Sequence, residues 1–270
     1  MFRRGVGKLI CLRHHRQFRE NIVIGAIPAG ETWGANNSEL CREPGQWLSS
    51  ISFDHTYRYF PELPDEPRDL ARHRTVVGGY LGLAPDLIDI VPRMAAASVG
   101  SKRFASVSPF GRAAIRTFPY ALLASAGRYV WHNHRLSLRL LAPPDKASRC
   151  HDLANRLIQD GVSGVEVMVC VSLENLIEAV SESSLVLSVE TATAHLATAL
   201  DRPMVALLGG GHYGWFAPWV RSNRQKWLTH SVPCFQCNWL CCQSEPGCMT
   251  RISEVALQKD ISEVLMCSGD

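Results

Sequence analysis

Residues 185–219 read LVLSVETATAHLATALDRPMVALLGGGHYGWFAPW, and their order decides the fold. Two short, largely apolar runs, 185–189 and 204–208, suit interior strands in a parallel sheet covered on both faces. Between them Glu190-Thr191-Ala192-Thr193 opens a segment of Ala, Leu and His residues that suits a helix, and a Gly-rich loop follows the second run. Strand, helix, strand and loop in this order make the layout of a phosphate-binding α/β unit. N–H groups at a helix start have no intrahelical acceptor, and the helix dipole adds positive potential, so the spot draws a phosphate placed beyond the carboxyl ends of the strands. Thr191 and Thr193 offer hydroxyl donors. His195, four residues after Thr191, lies on the same helical face one turn deeper. Singly, such a threonine also serves as a cap and such a histidine as a hydrogen-bonded core residue. Their joint placement at a strand end, facing a Gly-rich loop, favours the binding reading.

Working outward, the pattern from residue 104 onward is regular. FASVS, YALLASAGRYV, LSLRLLA, ASRCHDLANRLIQD, VEVMVC, SLENLIEAVSE, LVLSV, TATAHLATAL and MVALL alternate strand with helix. Parallel strands need crossovers, and the crossovers are helical, so residues 101–270 are expected to form a Rossmann-like, doubly wound parallel sheet. Pro119 suits a first helical turn, Ser172 suits a cap for residues 173–180, and a final helix is expected over 253–266. Residues 1–100 read as a reduced α/β part and linker. One strand is expected at 21–27 (NIVIGAI), none before it, then a helix over 68–83 ending near Gly82 and a connection over 85–102.

The chain has 270 residues, of which 46% are hydrophobic, enough to fill a sizeable core and to argue against general disorder. No apolar run approaches the roughly 20 residues of a membrane span. The start, MFRRGVGKLICLRHHRQFRE, is basic and lacks an apolar segment of signal-peptide length, so a cytoplasmic location is expected. A formal net charge of +3 does not by itself demand nucleic acid, and neither an aromatic RNA-binding motif nor nucleic-acid zinc-finger spacing is present. The basic residues Arg3, Arg4, Lys8, Arg13, Arg16 and Arg19 form either a solvated surface or a patch attracted to an anionic membrane face or an anionic acceptor.

Three stretches together give a resemblance. Ser108-Pro109-Phe110-Gly111 is followed by Arg116-Thr117-Phe118-Pro119; Glu190-Thr191-Ala192-Thr193-Ala194-His195 is followed by a strand and a glycine-to-proline loop over 209–218; Cys248-Met249-Thr250-Arg251-Ile252 closes a cysteine-rich tail. In order and spacing, residues 106–261 resemble glycosyltransferase family nine, the ADP-heptose:lipopolysaccharide heptosyltransferases. The resemblance implies the GT-B fold of two facing Rossmann domains, with a nucleoside-diphosphate sugar held mainly by the C-terminal one. It places Arg116 where the family has a lysine on the donor diphosphate, and a guanidinium makes a two-pronged contact with phosphate oxygens. Glu190, Thr191, Ala192 and His195 fall where the family contacts pyrophosphate and sugar, with Glu190 replacing aspartate and Ala192 replacing glycine. The family's acceptor-side acid has no counterpart in the reading of residues 1–100, so no catalytic base is named and slow transfer is expected.

The resemblance thus implies a glycosyltransferase, inverting and without a catalytic cofactor. It would move a heptose-like sugar from an ADP-heptose-like donor to lipopolysaccharide or another glycan at the inner membrane face. The alternative is a non-catalytic sugar-nucleotide or glycan-binding remnant of that family. An epimerase of similar two-domain architecture fits the fold but not the cysteine tail. Among ten cysteines, Cys234, Cys237, Cys242 and Cys248 are close enough in sequence to surround one tetrahedral ion. They read either as a structural zinc or iron site or as a cluster of free or disulfide-bonded thiols.

Overall fold

The computed structural model describes residues 5–11, 26–35, 55–57, 68–89, 91–95, 103–235, 237, 239–241 and 245–267. The chain divides into two compact units, Met1–Ile90 and Val91–Asp270.

In the first unit, strands β1 (Val6–Cys11), β2 (Ala29–Ala35) and β3 (His55–Tyr57) pair in parallel in that order, and helix α1 (Arg68–Leu81) follows. This corrects the expectation of no strand before residue 21. Of the expected strand at 21–27, residues 26 and 27 lie in a turn and a bend, and 21–25 fall outside the described residues. The sequence VGKLIC hides its strand because glycine and lysine break both the alternating and the continuous apolar pattern. The lysine is accommodated by its surroundings: Lys8 Nζ sits 3.1 Å from Glu31 and over the rings of Trp33 and Tyr80, at 5.7 and 5.3 Å from their centroids. Helix α1 stops as expected at Gly82, whose φ of +67° only glycine adopts without strain.

The second unit is one parallel sheet of β4 (Phe104–Ser108), β5 (Ser137–Ala142), β6 (Val165–Val169), β7 (Leu185–Val189), β8 (Met204–Leu207) and β9 (Gln225–Leu228), ordered β6-β5-β4-β7-β8-β9. Its helices are α2 (Tyr120–His134), α3 (Ala147–Gln159), α4 (Leu173–Ser181), α5 (Ala192–Ala199), the short α6 (Gly247–Thr250) and α7 (Glu254–Met266). Every residue of β7 and β8 is buried, as their apolar runs predict. Strand β9 was not legible: it is an edge strand, QKWL, with only Gln225 fully buried.

Two hydrophobic cores flank this sheet. On one side Leu123 and Val130 of α2, Leu157 of α3, and Leu257, Ile261 and Val264 of α7 pack with Val107, Leu138, Leu140 and Leu187. On the other side Val180 of α4 and Ala194 and Ala197 of α5 pack with Leu141, Val186, Met204 and Ala206. Helices on both faces make the sheet doubly wound. Caps fix two of them: Ser172 Oγ accepts from Asn175 N at 3.2 Å and Ser253 Oγ from Ala256 N at 3.3 Å. Among the described residues no helix is long and apolar enough to cross a membrane.

The chain runs from β4 outward through β5 to β6, then returns to the other side of β4 with β7 and continues through β8 to β9. The strand order therefore reverses between β4 and β7. Loops leaving the carboxyl ends of those two strands turn to opposite faces, which opens a crevice there.

Candidate functional site

A cleft of about 650 Å³ lies at that reversal. Its floor is Ser108 at the end of β4, Leu141 and Ala142 of β5, Cys170 after β6 and Glu190 after β7, and its walls include Arg112, Arg116, Lys146, Thr191, Ala192 and His195. All five donor-side residues singled out in the sequence, Arg116, Glu190, Thr191, Ala192 and His195, line this one space.

Arg116 arrives on a tight loop after β4. Gly111 N donates to Arg116 O at 2.6 Å, Phe118 N to Pro109 O at 2.8 Å, and Phe110 and Thr117 pair across the loop. A Cβ on Gly111 would sit 2.7 Å from Arg116 Cβ, so the close strands of this loop require glycine there. Lys146 Nζ donates to Gly111 O at 2.8 Å, which ties the loop to the segment following β5. Sequence reasoning missed Lys146 and Arg112. For Lys146 the signal was present: Pro143-Pro144-Asp145-Lys146 directly follows a predicted strand, hence stands at the carboxyl edge.

Glu190 is 5% exposed. Its Oε2 lies 3.7 Å from Arg116 Nη1, too far for a hydrogen bond but close enough for charge attraction, and 3.6 Å from His212 Nδ1. Glu190 Oε2 and Arg116 Nε are buried without a hydrogen-bond partner among the described residues. Helix α5 begins at Ala192 with Thr191 as its cap residue, yet the Thr191 hydroxyl makes no cap bond and instead sits 3.0 Å from Ser188 Oγ. Ala192 and Thr193, whose N–H groups belong to the first turn and to the positive end of the helix dipole, line the cleft. Ala192 is absent from the left-handed residues, so its backbone makes no demand for glycine.

His195 Nδ1 accepts from Trp219 Nε1 at 3.0 Å. Burial pushes the imidazole below its usual pKa, and the nearby Glu190 carboxylate opposes that shift more weakly. Burial likewise pushes the Cys170 thiol up, partly offset by Arg139, so its thiol stays protonated rather than nucleophilic.

The Gly-rich loop after β8 is shaped by tight packing. A Cβ on Gly209, Gly210 or Gly211 would lie 2.3, 2.3 or 2.4 Å from Trp239, Phe235 or Trp239. These glycines are selected by close packing under the aromatic residues of the cysteine-rich tail. In that tail Cys234, Cys237, Cys241 and Cys248 line one cavity of about 10 Å³. Cys237 and Cys248 are free thiols, and Cys242 lies outside the described residues. Among the described residues no three His, Cys, Asp or Glu side chains converge as metal ligands.

Residues 126–241 match the model of glycosyltransferase family 9 (heptosyltransferase). Among solved structures the chain is similar to the E. coli heptosyltransferase WaaC with ADP, at 16% identity and a TM-score of 0.66, covering 97% of this chain and 74% of that one. It is also similar to the family 9 glycosyl transferase of Veillonella parvula DSM 2008, at 13% identity and a TM-score of 0.71, with coverage of 97% and 74%. A third is the dodecameric iron-containing heptosyltransferase TibC of enterotoxigenic E. coli in complex with ADP-D-beta-D-heptose, at 14% identity and a TM-score of 0.51, covering 99% and 78%. At such identities these three establish the fold. No curated protein sequence matches the chain.

Proposed function

We propose, from the glycosyltransferase family 9 domain carried by residues 126–241, that the protein transfers a heptose-like sugar from a nucleoside-diphosphate donor to lipopolysaccharide or another glycan. The observation that supports this most is the cleft at the strand-order reversal, where an arginine, a lysine and a helix start converge. Such a place suits a diphosphate, because charged side chains and the N–H groups of a helix start line the same cleft. In the transfer an acceptor hydroxyl attacks the anomeric carbon as its bond to the diphosphate oxygen breaks, and the hydroxyl proton passes to a base. Negative charge grows on the leaving nucleoside diphosphate. Arg116, Lys146, the first N–H groups of α5 and the His195 imidazole would stabilise it without having to reorganise.

No step of this scheme uses a metal. The cysteine-rich tail is assigned a structural part, packing Trp239 and Phe235 onto the glycine loop. Peripheral attachment at the inner membrane face would bring the enzyme to a lipid-linked acceptor, and the basic N-terminal residues suit an anionic surface.

Calorimetric titration with ADP and ADP-heptose, followed by incubation with truncated lipopolysaccharide and mass spectrometry of the product, tests the proposal. Binding with transfer is the expected result. Binding without transfer would favour the non-catalytic sugar-nucleotide module instead, and absence of binding to either nucleotide would overturn the donor assignment.

A further inference from the structure

His195 and Trp219 form an in-plane pair. Their rings are 8° from coplanar, yet the centroids are 5.9 Å apart, a separation too wide for face-to-face stacking and suited to an edge-to-edge hydrogen bond between Trp219 Nε1 and His195 Nδ1 at 3.0 Å. An indole nitrogen is a donor only. Nδ1 must therefore be the acceptor, and the neutral imidazole must carry its proton on Nε2. That nitrogen is the one left to a ligand, since His195 lines the cleft. Trp219 is itself held: Trp227 Nε1 donates to Trp219 O at 2.7 Å, and the Trp227 ring lies 5.7 Å from the imidazole at 43°. Two tryptophans thus fix the ring from one edge and one side.

We propose that Trp219 is a positioning residue that locks His195 as the neutral Nε2–H tautomer, making it a permanent hydrogen-bond donor to an anionic ligand in the cleft. An imidazole free to turn or change tautomer would present an acceptor to phosphate oxygens part of the time, and an ionised one would lose the indole bond. The charged groups around it are Glu190 and, across the same cleft, Arg112, Arg116, Asp145 and Lys146. Of these, Glu190 favours the imidazolium and burial disfavours it. The lock therefore acts in the same sense as burial. The tautomer stands on geometry alone, whereas the anionic ligand rests on the donor reading above.

Long-range ¹H–¹⁵N spectra of the imidazoles, assigned with His195→Gln, test the lock on the ligand-free protein. Expected is an unprotonated Nδ1 and a protonated Nε2 for His195 at neutral pH, with Nδ1–H appearing in Trp219→Phe. A protonated Nδ1 in the parent overturns the proposal whether or not the variant folds, as does an unchanged tautomer in a folded Trp219→Phe. ADP titration supplies the second arm. Trp219→Phe should weaken ADP binding about tenfold when His195 is present and leave it unchanged in the His195→Gln background, and equal loss in both backgrounds overturns the positioning role. If the parent binds no ADP, the donor reading fails while the spectra still decide the tautomer.

Discussion

Arg116 and Glu190 face each other across the strand-order reversal with Nη1 and Oε2 3.7 Å apart, both largely buried and not hydrogen-bonded to one another. A pair held at this distance attracts without consuming the donors of the guanidinium. Arg116 therefore keeps hydrogen-bonding capacity for a ligand while Glu190 balances its charge.

Arg116→Ala should weaken ADP binding by about 1.5–3 kcal/mol, the range for a lost charged hydrogen bond. Calorimetric titration at fixed ionic strength is the check. Equal affinity in variant and parent would take Arg116 out of the site.

Glu190 and Ala192 depart from the aspartate and glycine of the resembled family, and each has a physical consequence here. The longer glutamate reaches toward both Arg116 and His212, and the Ala192 methyl stands exposed in the first turn of α5, where a phosphate would approach. Glu190→Asp combined with Ala192→Gly should strengthen ADP-heptose binding by withdrawing the carboxylate from the guanidinium and clearing the helix start. No improvement in the double variant would show that these positions do not limit the donor.

How far the sequence revealed this site depended on burial. Strands β7 and β8 were plain because full burial on both faces leaves almost only apolar residues, Ser188 excepted, and the helix between them carried its hydroxyls and histidine at a recognisable spacing. Strands β1 and β9 were not, since a lysine braced by aromatics and a half-buried edge strand break the pattern that periodicity detects. The triple glycine was legible as a Gly-rich loop but the packing that requires it was not. Its neighbours, Trp239 and Phe235, come from residues far along the chain, and only tertiary packing reveals them. Lys146 stood in view at the carboxyl edge of a predicted strand, whereas its contact with the carbonyl of Gly111 is made only through the fold.

That packing makes Gly211→Ala a sharp test. The added methyl would meet the six-membered and five-membered ring atoms of Trp239 at 2.4–2.8 Å, and an indole cannot yield as a flexible chain end does. Overpacking of this kind costs about 1–3 kcal/mol. Urea denaturation should show that loss. Because Arg116 lies over the Trp239 ring at 5.9 Å, ADP affinity should fall with it, and an unchanged midpoint would mean that the tail moves aside freely.

Stability should also depend on pH through the buried imidazoles. Burial lowers the pKa of both His195 and His134 from the ordinary value of 6.5. With the folded pKa depressed, the unfolded chain binds more protons between the two values, so stability is fully present above pH 6.5 and declines as pH falls through that window. Urea midpoints should drop from pH 7.5 to pH 5.5 in the parent and drop less in His195→Gln. A parallel decline in both would assign the acid sensitivity to other groups.

Lys146 and Arg116 act on one loop, and their effects on binding should therefore not add. Lys146 Nζ holds Gly111 O at 2.8 Å, and Gly111 N in turn holds Arg116 O at 2.6 Å, so removing the lysine frees the segment that aims the guanidinium. Lys146→Ala should weaken ADP binding both by its own lost charge and by loosening Arg116. In the Arg116→Ala background the second part has nothing left to act on. A double-mutant cycle should then give a coupling of about 0.5–3 kcal/mol, the range for residues that share a network. Strict additivity would mean that Lys146 serves only as a point charge, and that the Gly111 contact does not set where Arg116 points.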